Sequence, residues 1–530
     1  LLHEGPAIAP GLRRSGNRFD LHVMRNRCYG AIRSEYVRMT GYDMLVRKLL
    51  AGIAALAIVL TGLTVTASAT AGEWGDALPV PGLAALNLGN YVDVFSVSCT
   101  SPGNCSAVGR YNDGSAQQGF LVDRVGGAWQ QAVPVPGLGA LDVGRNSAVR
   151  EVSCSSDGNC SAVGNYNDGS GLASAFVVDR VGGVWQNAVP IPGVAALAIG
   201  QYGLASSVSC TSDGNCSALG QYMDGSSNFQ LFVVDRVAGV WQDAIPVPGL
   251  IALNQNGQAE SGGISCSSDG NCSAGGSYSA TSGNQGFVVD RVSGVWQTAA
   301  PIPGLEALNV ANVAAVNDLS CSSTGNCSAV GKFRNGSGDQ GFVVDRVAGV
   351  WQSAIAAPGL ASLGTRGEVW ALSCPLDGDC SAVGIAVVGD FFAVTIDRIG
   401  GVWQSAQAIP GLADLGPASG VSGISCWNAL NCSMTGSYNP GSGYEGFVVD
   451  RVGGVWQSAA PIAGLAGLNT GHDAQGTSIS CAAGGACSVG GNFESGGGRQ
   501  GFVVDRQLPP EPTTTTTSPS LDPTVPVFTG

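Results

Sequence analysis

Between residues 74 and 506, short apolar runs alternate with clusters of Gly, Asn, Asp and Ser, and the whole alternation returns every 52 to 56 residues. One copy, Val152 to Gly193, reads VSCSSDGNCSAVGNYNDGSGLASAFVVDRVGGVWQNAVPIPG. Its apolar runs predict four strands, at Glu151 to Cys154, Cys160 to Tyr166, Ala175 to Val181 and Val184 to Pro190. The turns between them are short, so neighbouring strands are antiparallel; a parallel pair needs a crossover of about a dozen residues. Four such strands make one propeller blade. A blade has two apolar faces, which are covered only when blades stack, and a ring leaves no end bare.

The copies also predict how the ring closes. Tryptophan-led segments begin at Trp74, Trp129, Trp185, Trp241, Trp296, Trp351, Trp403 and Trp456, and the first of them precedes every cysteine pair. The last cysteine pair is followed by Gly-Phe-Val-Val-Asp-Arg and by no tryptophan segment. Trp74 to Pro81 is therefore expected to supply the outer strand of the final blade. The predicted fold is all-β, an eight-bladed propeller of four-stranded antiparallel blades closed by its N-terminal strand over residues 72–506.

Cysteine usage points to an oxidising compartment. Cys28 apart, the cysteines fall into eight pairs of one spacing: Cys99 and Cys105, Cys154 and Cys160, Cys210 and Cys216, Cys266 and Cys272, Cys321 and Cys327, Cys374 and Cys380, Cys426 and Cys432, and Cys481 and Cys487. Each pair spans one predicted hairpin and is read as a disulfide. Zinc is the rival reading, but each blade offers two thiolates and no histidine where four ligands are wanted. Residues 44–71 join Arg47 and Lys48 to an apolar stretch of about 17 residues and a small-residue end, the pattern of a secretory signal peptide. Residues 1–43 are basic and outside the repeat, and are expected to be a non-native upstream extension, with translation starting at Met39 or Met44. Residues 507–530 are a Pro/Thr-rich tail with the composition of an extended stalk. The expected location is secreted or cell-surface, with no stable membrane span after cleavage.

From residue 72 onward there are 34 acidic and 15 basic residues, a balance that repels phosphate backbones, so nucleic acid is excluded as a partner. The Ser-Asp-Gly-Asn-Cys turns resemble the Asp-box hairpins of sialidase-like propellers, with cysteine where that family has an aromatic residue. The wider repeat is similar to secreted bacterial repeat proteins. This resemblance implies a propeller; it does not by itself imply an activity.

Every copy carries an Asp-Arg dipeptide, from Asp123-Arg124 to Asp505-Arg506. Neighbouring strand residues face opposite sides, and an eightfold copy does not mark one active site, so these pairs are read as structural. The Asn-Asp-Gly turns at Asn112 and Asn167 offer oxygens, but lack the closing Glu of a strong calcium loop and are common turn chemistry. No cofactor or metal is expected. Specific chemistry is sought where copies differ, in the links between blades: Arg145, Arg150, Tyr202, Arg366, Trp370 and His472 are the candidate ligand-binding residues. Arg110, Arg145, Arg150, Arg334, Arg366 and Arg499 are the arginines outside the repeat. No nucleophile with a base stands out, so no catalytic residue is assigned. The expected function is a monomeric, non-enzymatic binding module for a glycan or extracellular protein. The alternatives are a sialidase-like glycoside hydrolase or lyase, and a purely structural wall component.

Overall fold

The computed structural model describes residues 72–169, 173–199 and 202–508. The upstream segment, the expected signal peptide and all but the first residues of the tail lie outside them. Eight antiparallel sheets follow one another around a central channel. In blade 2 the inner strand is Ala148–Ser156, the second Asn159–Asn167, the third Ala173–Val181, and the outer strand begins at Val184–Trp185. Blade 8 combines Ala474–Cys481, Cys487–Ser495 and Gly498–Gln507 with Glu73–Trp74 from the other end of the sequence. Trp74 pairs with Arg506, and Leu78 with Val503, so the predicted closure is present.

Apolar side chains on both faces of every strand set build eight cores, one at each interface between blades. The closing interface is no weaker in kind: Val503 of blade 8 packs with Val92, Val94 and Phe120 of blade 1. Seven blades bury a phenylalanine of the third strand completely, as Phe176 in blade 2; blade 6 has Val394 there. Opposite Phe176 lies Gly164, where a Cβ would strike the Ala148 carbonyl and press on the ring. That close approach explains the glycine ending each Ser-Ala-Val-Gly segment.

Two polar rings hold the blades together, and a third ring staples each blade's own hairpin. The serine before the first cysteine accepts a hydrogen bond from the next blade's cysteine N–H, as Ser98 does from Cys154; Ser480 does so from Cys99 across the closure, both at 3.0 Å. Each Asp of the Asp-Arg pairs accepts from its own blade's serine and the next blade's Trp, and forms an ion pair with the next blade's Arg. Asp123 meets Arg180 Nε at 3.1 Å and Trp185 Nε1 at 3.0 Å. Across the closure Asp505 meets Arg124 at 3.1 Å and Trp129 at 3.0 Å, while Trp74 Nε1 donates to Asp450 at 3.2 Å. The dipeptides are thus the clasps between blades. The third ring is formed by the eight disulfides, each joining directly opposed residues of one hairpin, such as Cys154 and Cys160.

Two elements differ from expectation. The outer strand is not continuous from Val184 to Pro190: it pairs at Val184–Trp185 and again at Val189–Pro190. Between them the Ala188 N–H leaves its own sheet and donates to Pro136 O, in the link before its own blade, at 2.8 Å. The links themselves contain one helical turn each, such as Val194–Leu197, entered through Gly193 at φ 78°. The inner strands also begin earlier than predicted, Arg366–Leu376 in blade 6 among them, so much of the supposed link is strand.

Candidate functional site

One rim, here the upper, carries the links and the turns joining second to third strands; Gly144 N–H donates to Asn167 O there at 2.7 Å. The lower rim carries the cysteine hairpins, where Gly183 N–H donates to Gly158 O. Between the rims, residues from the inner strands of all eight blades enclose a cavity of 360 Å³. Every inner strand has a β-bulge at one equivalent point, after Val94, Val149, Ala205, Ser261, Val316, Val369, Val421 and Gly476. A bulge leaves one residue outside the ladder and re-aims its side chain. The bulged residues are Phe95, Arg150, Ser206, Gly262, Asn317, Trp370, Ser422 and Thr477.

The residue after each bulge faces the next blade. Ser96 and Ser478 accept the N–H groups of Val152 and Val97, at 3.3 and 3.1 Å. Glu151 and Asp318 take this place in blades 2 and 5, accepting from Val208 N at 2.8 Å and Leu372 N at 2.9 Å. Enclosure within the ring raises both carboxyls to about 7; for Asp318 the Glu151 charge adds to the effect, while the backbone donors oppose it.

At this level and above it lies a cluster drawn from blades 8, 1 and 2 and the link into blade 3. Arg110 is bound to Asp93 at 2.6 Å, and donates to Gln117 Oε1 at 2.8 Å and the Tyr91 hydroxyl at 3.3 Å. Arg499 of blade 8 reaches the other Asp93 oxygen at 3.1 Å. Arg150 donates to Asn165 Oδ1 at 3.0 Å and stacks on Phe95, 5.3 Å from the ring centre, with Arg110 on the same ring at 5.4 Å. Burial first, and then the Arg110 charge, push the Arg150 pKa down; Tyr202 and Asp93 push it up. Three guanidinium groups around one carboxylate leave this mouth cationic on an acidic protein. Such a surface attracts anions and stacks planar or apolar faces.

The candidate residues divide. Arg150 and Tyr202 belong to this cluster; Tyr202 also packs edge-on against Phe229 at 5.4 Å. Arg366 and Trp370 lie in the inner strand of blade 6, a correction to their placement in a link, because the strand starts at Arg366. There the Trp370 indole donates to Glu368 at 3.2 Å, and Glu368 is 3.6 Å from Lys332. Arg145 and His472 occupy one repeated left-handed position in two different links, at φ 57° and 61°, along with Asn90 and Asn312. Arg145 pairs with Asp113 at 2.9 Å, and the His472 carbonyl accepts from Tyr444 N. Asp113 is spent on its own turn. Burial is the largest single effect and pushes its carboxyl up, but the hydrogen bonds from Ser115 and Ala116 and the Arg145 charge together outweigh it and hold the carboxyl down to about 2. Among the described residues no group of three or more His, Cys, Asp or Glu side chains is arranged to hold a metal.

Sequence reasoning passed over Tyr91, Asp93, Phe95 and Gln117. A position-by-position comparison of copies would have flagged two of them: Phe95 fills a slot held elsewhere by Ser206, Gly262, Ser422 and Thr477, and Asp93 faces Arg110 in register.

No protein-family model matches the chain, and no curated protein matches it in sequence. Solved structures are similar to it in fold. A neuraminidase-like protein of subtype N11 from A/flat-faced bat/Peru/033/2010 is 14% identical, with 58% of this chain and 88% of that one covered and a TM-score of 0.32. A Hadza microbial sialidase is 10% identical over 62% and 72% of the two chains, with a TM-score of 0.33. The polysaccharide lyase Uly1 is 11% identical over 66% and 85%, with a TM-score of 0.37. At these values the likeness carries no argument about function; the eight-bladed propeller stands on the chain's own strand order.

Proposed function

We propose that this chain is a secreted or cell-surface, non-enzymatic binding module whose upper channel mouth receives an anionic glycan or protein segment. The observation that carries the reading is the meeting of Arg110, Arg150 and Arg499 with Tyr91, Phe95 and Tyr202, on a scaffold whose repeated charges are used up in clasps between blades. Eight disulfides fit an oxidising compartment, and among the described residues no helix is long and apolar enough to cross a membrane. Arg150 is the contact residue of choice: among the described residues its one side-chain hydrogen-bond partner is the neutral Asn165, whereas Asp93 already grips Arg110 and Arg499.

The test is a binding screen over acidic and neutral glycans and cell-wall polymers with the wild type and Arg150→Ala. Binding of an acidic ligand that falls about tenfold in the variant, the loss of one charge-assisted contact, supports the reading. Turnover of the ligand would instead favour a sialidase-like hydrolase or lyase, the second reading, which the convergence of three arginines and two tyrosines also fits. Uniform failure to bind would leave the structural wall component.

A further inference from the structure

On the lower rim the cysteine hairpins interlock through a repeated carboxylate nest. Asp157 at the tip of the blade 2 hairpin reaches back to blade 1 and accepts from Ser101 Oγ at 2.8 Å and Asn104 Nδ2 at 3.0 Å, with Thr100 alongside. Asp213 does the same against Ser155, Ser156 and Asn159 of blade 2, at 2.8, 2.6 and 3.1 Å. Asp269 does so against Thr211, Ser212 and Asn215 of blade 3, and Asp377 against Ser322, Thr324 and Asn326 of blade 5.

Blade 4 carries the same donors, Ser267, Ser268 and Asn271, but blade 5 has Thr324 where blades 2, 3, 4 and 6 have Asp. The blade 4 nest is nonetheless built like its sisters. Asn271 Nδ2 donates to Ser268 Oγ at 3.0 Å, as Asn215 does to Ser212, and Asn271 Oδ1 accepts from Ser293 N. Among the described residues, none accepts a proton from Ser268 Oγ. Beside it opens a cavity of 280 Å³ lined by these donors and by Arg291 and Arg346, with no acidic side chain; its neighbour between blades 5 and 6, of equal volume, is lined by Asp377.

We propose that the nest between blades 4 and 5 binds a carboxylate from outside the chain, carried on a short stem as in an aspartyl side chain or a small free acid. Two hydroxyls and an amide already arranged for a carboxylate favour the anion over its neutral amide, because ionised hydrogen bonds are about twice as strong as neutral ones; the guanidinium groups of Arg291 and Arg346 behind them are already paired with Asp235 and Asp290. The site lies at the opposite rim from the channel mouth, so it stands or falls independently of the function proposed above.

Saturation-transfer NMR on the disulfide-bonded protein tests it, with N-acetyl-aspartyl-N-methylamide, its asparaginyl counterpart and acetate as probes. The aspartyl probe should be saturated about tenfold more than the asparaginyl one, and acetate, but not chloride at equal ionic strength, should displace it. The signal should be lost in Asn271→Asp, which keeps the acceptor for Ser293 and matches Asp379, the residue naturally found at this point in blade 6. Ser268→Ala, a milder change, should weaken it. Displacement by acetate below the aspartyl probe's own concentration identifies a free acid as the better ligand; weaker displacement identifies the peptide side chain. Equal saturation of the two amides, displacement by chloride, or a signal untouched in both variants would overturn the proposal.

Discussion

Glu151 lines the channel and reaches to Val208 N of the next blade, with a carboxyl raised to about 7. Replacing it by glutamine keeps an oxygen to accept the Val208 N–H and removes the titration. For an acid whose folded pKa lies above its unfolded value, the folded state holds the proton more tightly. Its stability is therefore highest below the unfolded pKa and falls as pH rises towards the folded one. With a reference value of 4.5, the full penalty reached above pH 7 is about 3 kcal/mol at about 1.4 kcal/mol per pH unit. Glu151 is only partly covered by surface exposure, although it lies deep inside the ring. The channel wets one side of it, so about half of that penalty, roughly 1.5 kcal/mol, is the figure to expect. Glu151→Gln should match the wild type near pH 4.5 and exceed it at pH 8 by that amount. In thermal unfolding this corresponds to about 1–3 °C for a domain of this size. Scanning calorimetry of both proteins across pH 4.5 to 8 is the assay. A variant that gains nothing at pH 8, or gains as much at pH 4.5, would refute the reasoning.

Three further outcomes follow from the clasps and caps. Asp290→Ala strips Arg346, Trp351 and Ser273 of their common acceptor and should cost about 3 kcal/mol, because a guanidinium only 12% exposed loses its partner; denaturant unfolding would show it. Replacing Cys154 and Cys160 together by serine should cost about 2 kcal/mol from loop-closure entropy alone, read as a lower midpoint with unchanged secondary structure by circular dichroism. Asp142→Asn should stabilise by about 1 kcal/mol. The Asp142 Oδ2 is buried with no partner among the described residues, while Asn254 at the same point of another link donates to Phe229 O and Gln230 Oε1; an unchanged melting temperature would count against this.

The ring was legible because its evidence is periodic. Trp74 stands one step out of phase with the cysteine pairs, and only closure by the N-terminal strand explains that. The disulfides were legible because six positions along a tight hairpin bring Cys154 and Cys160 face to face. What stayed hidden depends on register. A bulge has no sequence mark: Phe95, Arg150, Gly262 and Trp370 share no property, yet all four stand outside the ladder at one level. Without that knowledge Arg150 and Trp370 looked like link residues, and the contact of Asp93 with Arg110 and Arg499 could not be drawn. The split outer strand was equally invisible, since Ala188 bonds to a carbonyl some fifty residues upstream.

The pairing of Trp74 with Arg506 also sets an order of events. The first β-segment to leave a ribosome or a translocation pore is the last to find its partner, and must wait until nearly the whole sequence has followed it. A chain halted anywhere before Gly498 would present an open row of blades with one bare sheet edge at its tail and an orphaned strand at its head. Completion of the circle is thus a test of full-length synthesis, and a protease acting on unfinished chains has a distinctive target in the unpaired residues around Trp74.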